Sequence, residues 1–304
     1  MKNEAKTAGA PEKFGFVAII GAPNAGKSTL VNQLAGSKIS IVSHKVQTTR
    51  ARIRAILVHE ATQAVLVDTP GIFVPKRKLD EEMVRNAWAG ASEADAVMLL
   101  VDARRGADEQ AVAIIKQLKD SNATAMLILN KTDLVDPEKL LPLSQMLNEA
   151  FAFSHTFMVS ALNGSGVAKL RDKIVEMMPL GPWHYPGDQM ADVNMRFIAA
   201  EITREKIYER LHDELPYSST VETEQWEERK DGSVKISQTI FVERDTQKAI
   251  VLGKGGQTIK LLGQLARADM EASMDRRVHL FLFVKVRQNW AVDPERLRMM
   301  GLAT

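Results

Sequence analysis

Residues 14–28 read FGFVAIIGAPNAGKS, and this stretch decides the fold of the first part of the chain. An apolar run ends at Gly21 and an amphipathic stretch begins at Lys27, so the sequence predicts a strand, a tight turn and a helix. The turn at 21–28, here called the phosphate loop, matches G-x-x-x-x-G-K-[ST]. Glycines in such a turn let backbone N–H groups surround a phosphate, and the helix N-terminus adds the positive end of a dipole.

The phosphate loop gives its side chains separate roles. Lys27 places a point charge on the β- and γ-phosphates of a nucleotide, and the Ser28 hydroxyl ligates Mg²⁺. A chance glycine turn is the alternative, but the position between a strand and a helix argues against it. The other nucleotide-binding candidates in the loop and just after it are Gly21, Ala22, Pro23, Asn24, Ala25, Gly26 and Thr29.

Strand-like and helical patterns alternate after the phosphate loop. Strands are predicted at 53–58, 64–68, 96–102, 124–130 and 156–160, and helices at 79–93, 107–120, 137–149 and 167–178. This alternation predicts an α/β domain over 14–180, with a mainly parallel sheet and helices on both faces. Residues 1–13 are interpreted as a flexible tail.

Two tetrapeptides follow predicted strands. In DTPG (68–71), Asp68 would reach Mg²⁺ through water, the Gly71 N–H would approach the γ-phosphate, and Thr69 and Pro70 would complete the loop, although a simple turn is an alternative. In NKTD (130–133), a carboxylate at Asp133 can accept hydrogen bonds from guanine N1–H and its 2-amino group, which adenine does not offer.

Further nucleotide-binding candidates come from position along the chain. Asn130 would brace the loops, the Lys131 stem would cover the base, and residues 160–162 (Ser160, Ala161 and Leu162) would offer backbone N–H to the guanine oxygen. The polar loop at 36–52 would close on the γ-phosphate, with Thr48 or Thr49 giving a second hydroxyl to Mg²⁺. Either threonine alone is equally well explained as a solvated loop residue.

The set GAPNAGKS, QTTR, DTPG, NKTD and SAL resembles the translation-factor class of small GTPases, and is most similar to the Era family. The resemblance implies GTP hydrolysis with GTP/GDP and Mg²⁺ as ligands.

The residue after the DTPG glycine is Ile72, which cannot orient water as the glutamine of Ras-like enzymes does. Either intrinsic hydrolysis is therefore slow or catalysis has another source, and some similar families use K⁺ held by an asparagine at the position of Asn24. The alternative is that Asn24 only stabilises the turn. Candidate catalytic residues are Lys27, Thr48, Thr49, Gly71 and Asn24.

The alternation stops at Met178, and the Pro- and Gly-rich stretch that follows predicts a linker over 181–196. The pattern from 197 to 290 changes to α-β-β-α-α-β, with a tail predicted at 291–304. Residues 197–243 hold six Lys/Arg against eleven Asp/Glu, whereas residues 244–290 hold nine against four. Ordinary solvated surface explains this charge distribution as well as nucleic-acid binding does.

GKGG at 253–256 is a G-x-x-G loop between two predicted helices, which suits a close approach to a nucleic-acid backbone. With ELPYSSTVE (214–222), FVERDTQKAIVLGKGGQTIK (241–260) and VHLFLFVKVRQNW (278–290), it resembles the type II KH domain of the Era family. The resemblance implies binding of the single-stranded 3′ end of small-subunit (16S) ribosomal RNA. The RNA-binding candidates are Gly253, Lys254, Gly255, Gly256, Lys260 and Arg267.

The predicted function is a GTP-hydrolysing switch that binds 16S rRNA and assists small ribosomal subunit assembly. Alternatives are an RNA-binding assembly factor with a mainly regulatory GTP site, which Ile72 favours, and a membrane-associated signalling GTPase. With no cysteine, no apolar run of 18 residues and no signal-peptide pattern, the sequence predicts a cytoplasmic protein. The resemblance adds peripheral association with the inner membrane, although no lipidation signal is seen. A monomer is expected.

Overall fold

The computed structural model describes residues 11–43, 45, 48–121, 123–192, 194–299 and 302. The chain divides into two compact units. The first unit is Met1–Ser40, Thr49–Asp192 and Gly301–Ala303; the second is Ile41–Thr48, Val193–Met300 and Thr304. The short segment Ile41–Thr48 is thus grouped with the C-terminal unit although it lies inside the N-terminal sequence.

A six-stranded sheet with surrounding helices forms the first unit, which confirms the predicted α/β class. The order is β2-β3-β1-β4-β5-β6, parallel except that β2 runs antiparallel to β3. Strands β3, β4 and β5 are buried along their whole length, which is why their sequences are mostly apolar without alternation. The elements are β1 Lys13–Gly21, α1 Lys27–Ala35, β2 Ile53–His59, β3 Thr62–Asp68, α2 Lys78–Ser92, β4 Ala96–Asp102, α3 Glu109–Asp120, β5 Ala125–Asn130, α4 Pro137–Ala150, β6 Thr156–Met158 and α5 Val167–Met177.

The parallel strands bring their carboxyl ends to one edge of the sheet. The residues that follow β1, β3, β4 and β5 therefore meet there, as in other open α/β sheets. The helices begin with local signals, as at α3, where the Asp108 carboxylate caps the helix by accepting from the Ala111 N–H at 2.8 Å.

Most of the predicted linker is hydrogen-bonded to the first unit. Backbone hydrogen bonds join it to the antiparallel edge strand, from the Ile56 N–H to the Met190 oxygen at 2.8 Å and from the Asp192 N–H to the Arg54 oxygen at 2.9 Å. The Tyr185 hydroxyl donates to Asp192 at 2.8 Å. Residues up to Asp192 consequently belong to the first unit, because the polar edge of β2 offers them hydrogen-bond partners that composition does not reveal.

The second unit has the predicted order of elements around a three-stranded sheet. Strand β8 lies in the centre, antiparallel to β7 and parallel to β9. Helices α6 and α8 supply buried apolar residues such as Ile207 and Leu262 to a core shared with Ile240 and Val284. The elements are α6 Met195–Arg210, β7 Ser219–Glu228, β8 Val234–Val242, α7 Asp245–Leu252, α8 Gln257–Met274, β9 Val278–Val286 and α9 Pro294–Met299.

The chain ends differ from the two predicted tails. Residues 1–10 of the N-terminal tail lie outside the described residues, and Lys13 already belongs to β1. At the other end, α9 replaces part of the predicted tail at 291–304, because Leu297 is buried and Arg296 lies over the Phe241 ring at 4.0 Å. Residues 300, 301, 303 and 304 lie outside the described part. Within that part, no helix combines the length and apolar character needed to span a membrane.

Candidate functional site

The phosphate loop connects β1 to α1 at the carboxyl edge of the sheet. Gly26 precedes the helix with φ of 101°, and a Cβ there would lie 2.3 Å from Asn130 Nδ2. Only glycine fits such a conformation and such a close approach. The loop therefore keeps its backbone turned toward the first turn of α1, where free N–H groups attract anions.

Lys27 is buried at the base of the loop, with 6% of its surface exposed. Its ammonium donates to the carbonyl oxygens of Gly21 at 3.1 Å and Ala22 at 3.0 Å. Burial lowers the pKa of Lys27 to about 8, although the nearby Asp68 carboxylate acts in the opposite direction. The bound phosphates of a nucleotide would supply the negative charge that favours its protonated form.

Three oxygen-bearing side chains meet beside Lys27. The Ser28 hydroxyl donates to Asp68 Oδ2 at 2.7 Å, and Thr49 Oγ1 lies 2.9 Å from Ser28 Oγ and 3.4 Å from Asp68 Oδ2. Asp68 is fully buried, which raises its pKa, and its Oδ1 has no hydrogen-bond partner among the described residues. A buried, unpartnered carboxylate oxygen among hydroxyls fits Mg²⁺, which prefers oxygen ligands. Among the described residues, no three His, Cys, Asp or Glu side chains come together in a group that could hold a metal ion, so this site combines one carboxylate with two hydroxyls.

The two candidate threonines are separated by the structure. Thr49 lies with Ser28 and Asp68, whereas the Thr48 hydroxyl donates to the Lys45 oxygen at 2.8 Å. Thr48 belongs to the second unit. Of the two alternatives, the structure therefore places Thr49 beside Ser28 and Asp68, whereas the Thr48 hydroxyl is hydrogen-bonded to a backbone oxygen away from them.

The DTPG loop lies directly against the phosphate loop. Thr69 donates to the Ile19 oxygen at 2.7 Å, and a Cβ on Gly71 would lie 2.9 Å from the Pro23 backbone nitrogen. The Ile72 N–H donates to the Gly21 oxygen at 3.0 Å, and the Ile72 side chain is buried in the core of the first unit. Ile72 thus anchors the loop and has no group that could orient a water molecule.

The predicted base-binding residues are joined through Asn130. Its amide donates to the Ala25 oxygen at 2.8 Å and accepts from the Ala161 N–H at 2.9 Å, so it links the phosphate loop to the loop at 160–162. Lys131 donates to the Asn24 oxygen at 2.6 Å. Asp133 is exposed on the turn that follows, with its carboxylate accessible to a base.

The GKGG loop ends α7 and begins α8. Gly253, Gly255 and Gly256 have φ of 71°, 59° and 76°, and Lys254 is exposed. A Cβ on Gly253 would lie 2.1 Å from Thr258 Oγ1, so the loop packs tightly against the first turn of α8. The loop therefore presents the N-terminus of α8 and a lysine to solvent, where a phosphate backbone can approach.

A groove of about 400 Å³ runs between α8 and β9. Its floor is apolar, and Lys260, Gln264 and Arg267 lie exposed along its helical side. Strand β9 is an edge strand, so backbone groups on its outer side face the groove. On the helix side, Ile259 lines the groove, whereas Leu262 is fully buried in the core. The groove lining consists of Ile259, Lys260, Gly263, Gln264, Arg267, Leu280, Phe281 and Leu282.

Comparison with known proteins gives the family. A family described as 50S ribosome-binding GTPase matches residues 16–131, and a KH domain family matches residues 214–291. The GTPase Era of Brucella suis biovar 1 (strain 1330) is 60% identical over 290 residues, which cover 95% of this chain and 93% of that protein. This chain belongs to the Era family. It is a GTP hydrolase with a C-terminal KH domain.

Similarity to further Era proteins supports this family assignment. The GTPase Era of Mesorhizobium japonicum is 62% identical over 288 residues, 95% of this chain and 93% of that protein. The crystal structure of a variant of Aquifex aeolicus Era bound to GDP·AlF₄⁻ matches with a TM-score of 0.90 at 34% identity, over 96% of this chain and all of that one. Era in complex with MgGDPNP and nucleotides 1506–1542 of 16S ribosomal RNA matches with a TM-score of 0.91 at 34% identity and the same coverage.

Two residues around the nucleotide site of this Era-family GTPase were missed from the sequence. Asp102, at the end of β4, accepts from Lys131 Nζ at 2.7 Å and from the Arg104 guanidinium at 2.8 Å, and so orients the lysine of NKTD. Asn32 accepts from the Ile39 and Ser40 N–H groups at 2.9 and 2.8 Å and fixes the start of the 36–52 loop. The position of Asp102 at the carboxyl end of a buried strand was the usable signal. Nothing local marks Asn32.

Proposed function

We propose that this GTPase binds the 3′ end of 16S ribosomal RNA through its KH domain and assists assembly of the small ribosomal subunit. The observation that carries the proposal is the groove between α8 and β9, with a basic side and an adjoining GKGG loop. The related Era protein whose complex contains nucleotides 1506–1542 of 16S ribosomal RNA supports the choice of RNA.

The KH domain would take single-stranded RNA because each part of the groove suits one part of a nucleotide. Backbone N–H groups of GKGG and the exposed Lys254 would bind phosphates, and the apolar floor would receive bases. The open edge of β9 would offer backbone hydrogen bonds to base edges. A KH groove of this form holds about four nucleotides.

In the GTPase domain, the chain would bind GTP and GDP with Mg²⁺. Backbone N–H groups of the phosphate loop and Lys27 would bind phosphate oxygens, and Ser28, Thr49 and Asp68 would hold the ion directly or through water. The ion would neutralise charge that develops on the phosphates during transfer. Asp133 would select guanine, and the Gly71 N–H would contact the γ-phosphate, so that the DTPG loop responds to its loss.

The source of catalysis beyond these groups is proposed to be a potassium ion held with the help of Asn24. Asn24 is exposed at the tip of the phosphate loop, with a positive φ of 62°. That conformation also suits an asparagine that only stabilises the turn. Replacing Asn24 with glycine separates the two explanations, since glycine keeps the backbone conformation and removes the side-chain oxygen.

The measurement is GTP hydrolysis in K⁺ and in Na⁺ at equal ionic strength. A faster rate in K⁺ for the wild type, abolished in Asn24→Gly, supports the potassium role. Equal rates in both salts for the wild type remove it and favour a slow site, in which GTP mainly regulates RNA binding.

The whole proposal is tested by steady-state GTP hydrolysis with and without a short single-stranded RNA that copies the 3′ end of 16S rRNA. Stimulation that disappears in Gly253→Asp supports a switch gated by RNA, because the added carboxylate repels phosphate at the loop. Tight RNA binding without stimulation favours the alternative of an assembly factor with a regulatory GTP site. Absence of RNA binding contradicts the proposal.

We further propose, from membership of the family, a monomer in the cytoplasm with peripheral association at the inner membrane. Sedimentation of the purified chain tests the monomer. Co-pelleting with vesicles of anionic lipid tests the membrane association, and protein that stays in the supernatant at low salt contradicts it.

A further inference from the structure

The segment 41–48 contacts helix α6 of the second unit and the residue after that helix. The Val42 N–H donates to Glu205 Oε1 at 2.8 Å. Lys45 Nζ donates to the Leu211 oxygen, and the Arg204 guanidinium donates to the Thr48 oxygen. The described residues of the segment are thus held near its start, at its middle and at its end.

Contacts with neighbouring side chains of the same helix hold Arg204 in position for this hydrogen bond. It is almost completely buried, its Nε donates to Glu201 Oε1 at 2.7 Å, and its guanidinium lies 5.2 Å from the Tyr208 ring centroid. Burial disfavours the charge, but the Glu201 carboxylate outweighs it and raises the pKa of Arg204. A guanidinium has five N–H groups in a rigid fork, so it can satisfy Glu201 and still donate to Thr48.

The contact at Thr48 acts on the residue that follows. Thr48 belongs to the second unit and Thr49 to the first, and one peptide bond joins them. A hydrogen bond to the Thr48 carbonyl fixes the plane of that peptide. This plane contains the Thr49 Cα, so its orientation determines the position from which the Thr49 side chain extends. Thr49 Oγ1 lies 2.9 Å from Ser28 Oγ, in the cluster of oxygens that fits Mg²⁺.

We propose that Arg204, which lies outside the GTPase domain, is a positioning residue for GTP hydrolysis. By holding the Thr48 carbonyl, it keeps the Thr49 hydroxyl beside Ser28 and Asp68. The inference rests on the proposed role of Thr49 as a magnesium ligand.

The test variant is Arg204→Lys, which keeps a positive charge near Glu201 but lacks the forked donor. We expect the affinity for a fluorescent, non-hydrolysable GTP analogue to fall about tenfold, the effect of one charge-assisted hydrogen bond. The Mg²⁺ concentration needed for half-maximal analogue binding should rise, and GTP hydrolysis should fall in parallel. The affinity for GDP should stay unchanged, which also shows that the variant is folded. An equal loss of analogue and GDP affinity overturns the proposal.

Thr203→Val is the matched control on the same helix. Thr203 is also fully buried, and its hydroxyl donates to Gln238 Oε1 at 2.6 Å, on strand β8 rather than toward the segment. The variant should lower stability without changing the ratio of analogue to GDP affinity. A change in that ratio as large as that of Arg204→Lys would mean that general loosening of α6 is responsible, and would overturn the proposal.

A double-mutant cycle with Thr49→Ala decides whether Arg204 acts through Thr49. If it does, Arg204→Lys has no further effect on analogue affinity once the Thr49 hydroxyl is absent. If the effects of the two substitutions on analogue affinity are independent and multiply, the positioning role of Arg204 is overturned, whereas the metal role of Thr49 is not. If Thr49→Ala itself leaves the Mg²⁺ dependence of analogue binding unchanged, the metal role of Thr49 is removed, and this inference with it.

Discussion

The chain has two glycine-rich loops that each lead into a helix, and they differ in how deeply their lysines are buried. Lys27 of the phosphate loop is 6% exposed and hydrogen-bonded to the loop itself, whereas Lys254 of GKGG is exposed to solvent. A buried, pre-arranged loop suits one small ligand of fixed charge and shape. An exposed loop beside an open groove suits a long polyanion that passes over it. Similar local sequence thus serves two kinds of phosphate recognition, and the surroundings decide which.

The largest expected effect is that of Gly26→Ala on nucleotide binding. The new Cβ would meet Asn130 Nδ2 at 2.3 Å in a backbone with φ of 101°, so the residue that joins the phosphate loop to the base loop must move. We expect GDP affinity to fall at least about 100-fold, or about 2.7 kcal/mol. Titration with fluorescent GDP measures it.

Gly36→Ala is the control at the other end of the same helix. Gly36 has a φ of 71°, but a Cβ there would meet nothing within 4 Å. Backbone strain alone should cost about 1 kcal/mol of stability and leave GDP affinity unchanged. Equal losses of affinity in both variants would show that close packing is not what distinguishes the phosphate loop.

The next largest effect is expected from salt concentration, which should lower the affinity for RNA at the exposed loop and groove. Lys254, Lys260 and Arg267 are exposed, so each phosphate contact they make with RNA releases counterions. Three such contacts predict a loss of RNA affinity of about 20-fold between about 50 and about 200 mM salt. Lys260→Gln should make the salt dependence shallower by about 0.7 in the logarithmic slope. RNA affinity that does not change with salt would contradict the proposed phosphate contacts.

The fold was largely readable from the sequence because its signals are local. The strand predicted at 96–102 is Ala96–Asp102, since a strand buried on both faces needs continuous apolar residues. The Pro and Gly content of residues 181–196 predicts a linker, but residues up to Asp192 belong to the first unit. The contacts of Tyr185 and Asp192 depend on β2 and β3, which lie more than a hundred residues earlier in the chain, so composition could not reveal them.

In the candidate site too, local sequence signals predict some residues, whereas contacts between distant parts of the chain could not be predicted. Ser28 and Asp68 come from motifs in which spacing alone predicts the role, and the structure places them 2.7 Å apart. The choice between Thr48 and Thr49 could not be made, because two neighbouring residues of one type give the same sequence signal. The contact between Arg204 and Thr48 joins residues 156 positions apart, so it requires the folded arrangement of α6 and the segment.

A smaller effect is expected for Gly253→Ala, which tests the tight part of the exposed loop. A Cβ at Gly253 would lie 2.1 Å from Thr258 Oγ1, so the first turn of α8 must shift away from the loop. RNA affinity should fall about tenfold, which is about 1.4 kcal/mol, while GDP affinity stays unchanged. Fluorescence anisotropy with labelled single-stranded RNA measures it. Gly232→Ala, at a positive φ of 81° with open space around it, is the control, and a similar loss of RNA affinity there would contradict the steric explanation.

The smallest effect is that of pH, and it depends on how deeply Lys27 is buried. Its pKa of about 8 lies below the ordinary 10.5 because burial disfavours the ammonium, whereas bound phosphates favour it. Nucleotide therefore binds the protonated form, and affinity is greatest below the pKa of the free protein. Affinity should fall about fourfold between about pH 7 and about pH 8.5, as Lys27 of the free protein loses its proton. Lys27→Arg should bind more weakly but without this dependence, because a guanidinium stays charged throughout the range. A wild-type affinity that is constant over this range would show that Lys27 is charged before nucleotide arrives, and that burial does not distinguish the two loops electrostatically.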